Sequence, residues 1–534
     1  MKRTKNISTF GKFIIFLEII IFISIFVFLI KRATKPNKLI ILGTADIQGL
    51  VEPSLNIKGE NPIVGGLSRI GYIIKKIKSE NNNSVLVVST GDDLMNRFFH
   101  TFKGKAIFTL LSEAGYDYYC FGNHEFDKGA NILSNATKIA KFKILCSDIV
   151  SDKANINCLK YDIINKNNIK IGLFSLITED LPFVISDKSV HLSGKNIDIA
   201  KQMVSKLKEQ GANIIIALTH IGEDADINLA KTVDGIDLIF GGHSHEYTQN
   251  PIIVNNTIIV NGGEKGDYLV RLDFLLKNKK IYYKNFKFKL IPITKNLKED
   301  EKIKKMINIY REKFPDSIVL GKTLKPWDMR SSLIRKNESN IADLINDLLR
   351  KKFKVDIVLN NAGAFRGKKV YAAGDITDTM LHEIDEFSNY AYTLDIKGDI
   401  LKKILELGAA SYGRGGFLQV SGIRYTINFK NSSIIVRKTE GEWKILKEGN
   451  RVTNIEVFNN QNKQWEPLDK NRNYKILSNS FLVNKGGDRY FFFKKYGTNL
   501  KNTYSTFYSI LSEFVETNKI INPPDIDGRI KIIN

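Results

Sequence analysis

The strongest constraint in this chain is a series of short runs that are apolar on both faces and then stop abruptly in polar residues. Between Lys38 and about Asn296 these are "KLIILGTAD", "SVLVVSTGDD", "DYYCFGNHE", "IKIGLFSL", "NIIIALTH" and "DLIFGGHSH", interleaved with helix-like stretches such as "GLSRIGYIIKKIKSE" and "AIFTLLSEAG". A strand with no polar face has to be covered on both sides, which specifies a layered α/β protein. The polar ends of such strands collect at one edge of the sheet, where α/β proteins bind ligands.

The pattern restarts further along. The charged, helix-favouring "LKEDEKIKKMINIYR" reads as part of a connector over 297–320. Beyond it "SNIADLINDLLRKKF" puts Ile341, Leu344, Ile345, Leu348 and Leu349 on one helical face. Strand-like "VDIVLNN", the helix "GDILKKILELGAASYG" and later strands follow. With 534 residues, 43% of them apolar, the chain is long enough for two cores. The expected domains are 37–296 and 321–534.

Residues 13–30, "FIIFLEIIIFISIFVFLI", would span about 27 Å as a helix, just enough to cross a bilayer. Basic residues flank the run on both sides, so local charge does not set an orientation, and no A-x-A-like cleavage site follows it. The reading is an uncleaved signal-anchor over 1–36, ahead of a cleaved signal peptide, with the rest extracytoplasmic (periplasm or cell surface) and the membrane as a partner. Three cysteines allow at most one bridge, and Cys120, inside "YDYYCFG", is expected to be a small core residue.

The balance of 80 Lys+Arg against 57 Asp+Glu gives +23. The basic residues are scattered, without a long run or an aromatic-basic repeat, so they describe a basic solvated surface and not a nucleic-acid site. No protein partner is implied.

Five strand ends carry the chemistry: "TADIQG" with Asp46 and Gln48, "STGDD" with Asp92, "FGNHEFD" with Asn123, His124 and Asp127, "LTHIG" with His220, and "FGGHSHEY" with His243 and His245. Four of the chain's 7 histidines lie in these pieces, although a single strand-end histidine is more often a hydrogen-bonded structural residue than a ligand. Carboxylate, imidazole and amide oxygen together suit Mn²⁺, Zn²⁺ or Co²⁺ better than thiophilic ions.

In this order the pieces resemble the calcineurin-like metallophosphoesterases, and within them the 5'-nucleotidase family, which includes bacterial periplasmic UDP-sugar hydrolases and 2',3'-cyclic-nucleotide phosphodiesterases. "NNAGAFRG", "GRGGFLQVSGIRY" and "SFLVNKGGDRY" are similar to that family's second-domain segments. The resemblance implies a four-layered β-sandwich flanked by helices, a C-terminal α/β substrate-binding domain, and two divalent metal ions (Mn, Zn, Co or Mg) bridged by Asp92. One ion would also take Asp46, Gln48 and His245, and the other Asn123, His220 and His243. His124 would stabilise charge on the phosphoryl group, oriented by Asp127.

The family usually has histidine where Gln48 stands, and some bacterial members carry glutamine at the position of His245. A glutamine carbonyl can replace an imidazole as a weaker neutral ligand. A nucleotide or nucleotide-sugar substrate would meet Arg335, Asn361, Gly363, Arg366, Arg414 and Asp488, with its base between Phe387 and Phe481. The implied reaction is release of phosphate from nucleotides. The alternatives are 2',3'-cyclic-nucleotide phosphodiesterase or UDP-sugar pyrophosphatase on the same residues, or a nucleotide-binding protein with weakened catalysis. The family's domains are thought to rotate against each other, which would put the connector near a hinge.

Overall fold

The computed structural model describes residues 37–533 except 54–60, 186, 277, 283, 315–316 and 440. The both-face apolar runs form the middles of two six-stranded mixed sheets. In the first, the strands Asn37–Thr44, Val85–Ser89, Tyr118–Cys120 and Lys143–Leu145 run parallel, and Tyr268–Leu276 and Phe286–Pro292 add an antiparallel edge. In the second, Ile169–Ile177, Ile214–His220, Leu238–Gly241 and Thr257–Asn261 are parallel, with an antiparallel strand at each end. Parallel strands share one C-terminal edge, so Asp46, Asp92, Asn123, His220 and His243 follow their strands into the same region.

Side chains alternate along each strand and sort into three cores. Leu39, Ile41, Leu86 and Val88 of the first sheet cluster with Ile214, Ile216, Leu238 and Phe240 of the second. The opposite face of the first sheet, Ile40, Leu42, Val85 and Val87, packs on the helices Leu67–Asn81 and Lys105–Ala114. That of the second, Ile215, Ala217 and Ile239, packs on Asn196–Glu209 and Glu223–Thr232. The helix Glu301–Arg311, within the segment read as a connector, buries Ile303 and Ile307 in the first-sheet core.

A separate α/β domain follows. Its five-stranded mixed sheet runs in the order Leu418–Ser421, Ile357–Asn361, Asn473–Asn479, Ala391–Lys397, Thr498–Asn502, and it has its own core between Leu320 and Ile530. Within it the helix Asn340–Phe353 buries Ile341, Leu344, Ile345 and Leu349 and leaves Leu348 partly buried. The two domains touch through His100 and Glu516 (3.3 Å), Arg97 and Asp378 (3.7 Å), and the ion pairs Lys128–Glu516 and Lys501–Asp180.

One disulfide forms, Cys146–Cys158, and Cys120 is free and buried. The expectation of a membrane partner and of a membrane-anchored location does not stand. Among the described residues no helix is long and apolar enough to cross a membrane, and 13–30, which suggested one, lies outside them.

Candidate active site

Each chemical residue sits where a strand gives way to a tight loop. Asp46, Gln48, Asp92, His243 and His245 all have positive φ, between 51° and 76°, a conformation that non-glycine residues adopt at a cost and that concentrates at functional sites. The loops are tied to one another: Asp46 donates its backbone N–H to the Gly91 carbonyl at 2.9 Å, and Gln48 to that of Asp92 at 2.9 Å. Glycine is required at 122, where an added Cβ would lie 2.2 Å from Asp92 Oδ1.

The resulting cluster is buried, acidic and short of hydrogen bonds. Asp46 and Asp92 are fully buried. Asp46 Oδ1, Asp92 Oδ2, Asn123 Oδ1, His220 Nε2 and His243 Nδ1 are all inaccessible and have no hydrogen-bond partner among the described residues. Orphaned buried polar atoms cost free energy unless something else satisfies them. Asp92, His220 and His243 each offer a ligand atom, all within 4.8 Å of one another. His220 Nδ1 lies 2.6 Å from the Thr90 carbonyl, so it carries a hydrogen, and the ring turns Nε2 toward Asp92 Oδ2, 3.0 Å away. His245 Nε2 is 3.3 Å from Asp46 Oδ1. This mixed oxygen and nitrogen set fits a borderline divalent cation.

The electrostatics agree. Burial alone would raise the Asp92 carboxyl, but His220 and His124 hold it well below the usual carboxylate range. Burial pulls the His220 imidazole down, and Asp92 and Asp46 outweigh it, raising the ring to about 9. The carboxylates thus demand compensating positive charge. Beside them His124 Nδ1 is 2.8 Å from Asp127 Oδ2, and its backbone N–H donates to Asp92 Oδ1 at 2.8 Å. Burial lowers His124, while Asp127 and Asp92 raise it to about 10. His124, Asp127 and Gln48 line a cavity of about 250 Å³ that reaches Phe387 and Tyr390 of the C-terminal domain.

A model of the family described as calcineurin-like phosphoesterase matches residues 39–247, and one described as 5'-nucleotidase, C-terminal domain, matches 319–495. The chain belongs to the calcineurin-like metallophosphoesterases, with a 5'-nucleotidase C-terminal domain. The buried cluster inside the phosphoesterase domain makes it a metal-dependent hydrolase. Among relatives, the snake venom 5'-nucleotidase of Gloydius brevicauda is 28% identical over 92% of this chain and 88% of its own length. The trifunctional nucleotide phosphoesterase protein YfkN of Bacillus subtilis is 28% identical over 86% of this chain, which spans only 33% of that protein. The NAD nucleotidase structure of Haemophilus influenzae aligns over 94% of this phosphoesterase and 100% of its own chain, with TM-score 0.76 at 22% identity, a likeness of fold.

The residues expected to hold substrate fall into two groups. Arg366 donates to Glu386 at 2.8 Å and lies 5.1 Å from the ring centroid of Phe387, which is 55% exposed. Asn361 donates to Asp488 at 2.9 Å, Gly363 donates its N–H to the Gly415 carbonyl at 2.8 Å, and Phe481 packs on Gly487. Arg335 buries its Nε without a hydrogen-bond partner among the described residues, and Arg414 takes part in the 411–417 turn through its backbone. Phe387 lines the cavity that holds His124, whereas Phe481, Asn361 and Asp488 do not.

Sequence reasoning passed over Glu125, Glu264, Tyr390 and Tyr504. Glu125 lies inside "GNHEFD" and Glu264 inside a Gly-rich turn after a strand, so position alone offered a signal for both. Tyr390 and Tyr504 come from the other domain, and their rings lie 5.1 Å from His245 and 4.2 Å from His243.

Proposed function

We propose that this phosphoesterase releases phosphate from nucleotides at two divalent ions, with domains at 37–296 and 321–534 joined by 297–320, the first a four-layered sandwich. The reading rests on the orphaned atoms of Asp46, Asp92, Asn123, His220 and His243 beside the His124–Asp127 pair. Asp46, His245 and Asp92 would hold one ion, and Asn123, His220, His243 and Asp92 the other. Bound there, divalent ions supply Lewis-acid charge to the phosphoryl oxygens and acidify the attacking water. His124, kept protonated by Asp127, donates toward the charge that develops on the phosphoryl group or leaving oxygen. Asp127 fixes the ring with its proton on Nδ1.

Relatives named as 5'-nucleotidases support nucleotide monophosphates as the substrate class. Phe387, exposed and carried on the wall of the same cavity, offers a π-face to a base, and Arg366 beside it offers a cation to phosphate. Arg335, Asn361, Gly363, Arg414, Phe481 and Asp488 complete the proposed substrate set on the C-terminal domain.

The test is phosphate release by the full chain, stripped of metal and reloaded with Mn²⁺, Co²⁺, Zn²⁺ or Mg²⁺, on AMP, UDP-glucose and 2',3'-cyclic AMP. Metal-dependent turnover with AMP preferred is expected. Turnover of neither AMP nor the other two with any metal rejects the proposal.

A further inference from the structure

Gln48 stands where the family usually has histidine, and its surroundings have no part in the scheme above. Its Nε2 lies 3.4 Å from Glu264 Oε2 and 3.3 Å from Tyr390 Oη, and Tyr390 Oη is itself 3.2 Å from the same Glu264 oxygen. A carboxylate can only accept, so the tyrosine hydroxyl donates to it and keeps its lone pairs for Gln48. A carbonyl turned toward these two acceptors would be repelled, so the end of the amide facing them is the NH₂. Glu264 and Tyr390 offer an acceptor to each of its two N–H groups, and His245 Nε2, 3.3 Å from the same nitrogen, is the third neighbour of that end of the amide. Among the described residues none donates to Gln48 Oε1.

The amide nitrogen has no lone pair to give a cation, because it is delocalised into the carbonyl. The oxygen does. His245 Nε2 lies 3.3 Å from Gln48 Nε2, and His245 Nδ1 lies 3.3 Å from Glu264 Oε2, so one carboxylate borders both side chains. A histidine at 48 would offer a ring nitrogen as ligand without any partner having to choose which end of an amide faces inward.

We infer that Glu264 and Tyr390 are positioning residues for the ion beside Asp46 and His245: by giving each N–H group of Gln48 an acceptor they leave its carbonyl oxygen as the atom offered to the cation. Because Tyr390 belongs to the C-terminal domain and Gln48 and Glu264 to the first, retention of that ion depends on the two domains being docked. This rests on the dinuclear reading given under Proposed function. The coupling is a consequence of glutamine at 48.

The test is Mn²⁺ binding by equilibrium dialysis of the full chain, with no reliance on turnover. The wild type is compared with Tyr390→Phe, Glu264→Gln, Gln48→His and the double variant Gln48→His/Tyr390→Phe. The wild type is expected to take up two ions per chain with unequal affinity. Tyr390→Phe, which removes one oxygen and almost no packing volume, weakens the looser ion by about 3–10-fold, and Glu264→Gln by about 10–100-fold, the range seen when partners of metal ligands are removed. Gln48→His tightens that ion and makes it indifferent to Tyr390→Phe. A Tyr390→Phe protein with wild-type affinity for both ions overturns the inference, as does an equal Tyr390→Phe penalty with glutamine and with histidine at 48. Either result leaves the dinuclear reading standing. A wild type that binds fewer than two ions overturns that reading and this inference together.

Discussion

Glu125 holds Asp92 by the backbone: its carboxylate accepts the Asp92 N–H at 2.8 Å. The same fully buried carboxylate accepts the N–H groups of Asp93 and Leu94 at 2.9 Å and of Gly122 at 2.7 Å, and the Tyr119 hydroxyl at 2.8 Å. Two loops from different strands are thereby fastened to one anion, and the positive φ of Asp92 is held by that fastening. Replacing Glu125 by alanine leaves five buried donors unmet, each costing about 1–3 kcal/mol. The isosteric Glu125→Gln is the cleaner probe, because its NH₂ faces N–H groups where an oxygen stood. It is expected to fold with a lowered Tm and to bind metal about 10-fold or more weakly, as measured by calorimetry and equilibrium dialysis.

Asp127 acts on the reaction through His124. Without its charge the imidazole loses the partner that, together with Asp92, lifts it to about 10. The ring also loses the 2.8 Å contact that fixes its orientation. Asp127→Asn is expected to lower kcat by about 100-fold, the low end of what a disabled general acid costs, while metal content stays at the wild-type level. Steady-state kinetics beside a metal assay decide it, since a loss of metal in this variant would move Asp127 from catalysis to site assembly.

Removing metal has a stability consequence that needs no substrate. The orphaned atoms of Asp46, Asp92, Asn123, His220 and His243 come together in the folded chain only, so an ion bound there at about 100 times its Kd would add about 2.7 kcal/mol. Chelation is expected to lower the Tm by several degrees and Mn²⁺ to restore it, followed by scanning calorimetry. An unchanged Tm would mean that the cluster binds no ion tightly.

The sheet edge was legible because strands buried on both faces leave a plain record: an apolar run, then the residues it delivers. Asp46, Asp92 and Asn123 come to one edge because their strands are parallel, His220 and His243 likewise on the second sheet, and the packing of the two sheets brings the edges together. What could not be read depends on contacts between distant segments. Glu125 works by accepting backbone N–H groups, which no side-chain pattern reveals. Tyr390 and Tyr504 reach the cluster only because the second domain docks there. Phe387 and Phe481 were paired by resemblance, yet in this arrangement only Phe387 reaches the cavity beside His124. The disulfide could be limited to one bridge by counting, but its partners, Cys146 and Cys158, are fixed by the fold.

A buried carboxyl far from the metal cluster gives a pH-dependent prediction. Asp343 is fully buried on the helix Asn340–Phe353, with Arg529 Nη1 3.6 Å away and buried Glu338 nearby. Burial raises its pKa, Arg529 lowers it and Glu338 raises it again, to about 9 in the folded chain against an ordinary 3.8. A group that binds its proton more tightly when folded makes the native state take up a proton. Stability therefore falls as pH rises from about 4 to about 9, and the Asp343 contribution is level outside that window. Asp343→Asn removes the titration while keeping the shape. Its Tm advantage over wild type is expected to grow from pH 5 to pH 8, reaching a few degrees. Thermal unfolding of both proteins across that range checks it, and a difference in Tm that does not change with pH would show that Asp343 is charged when folded.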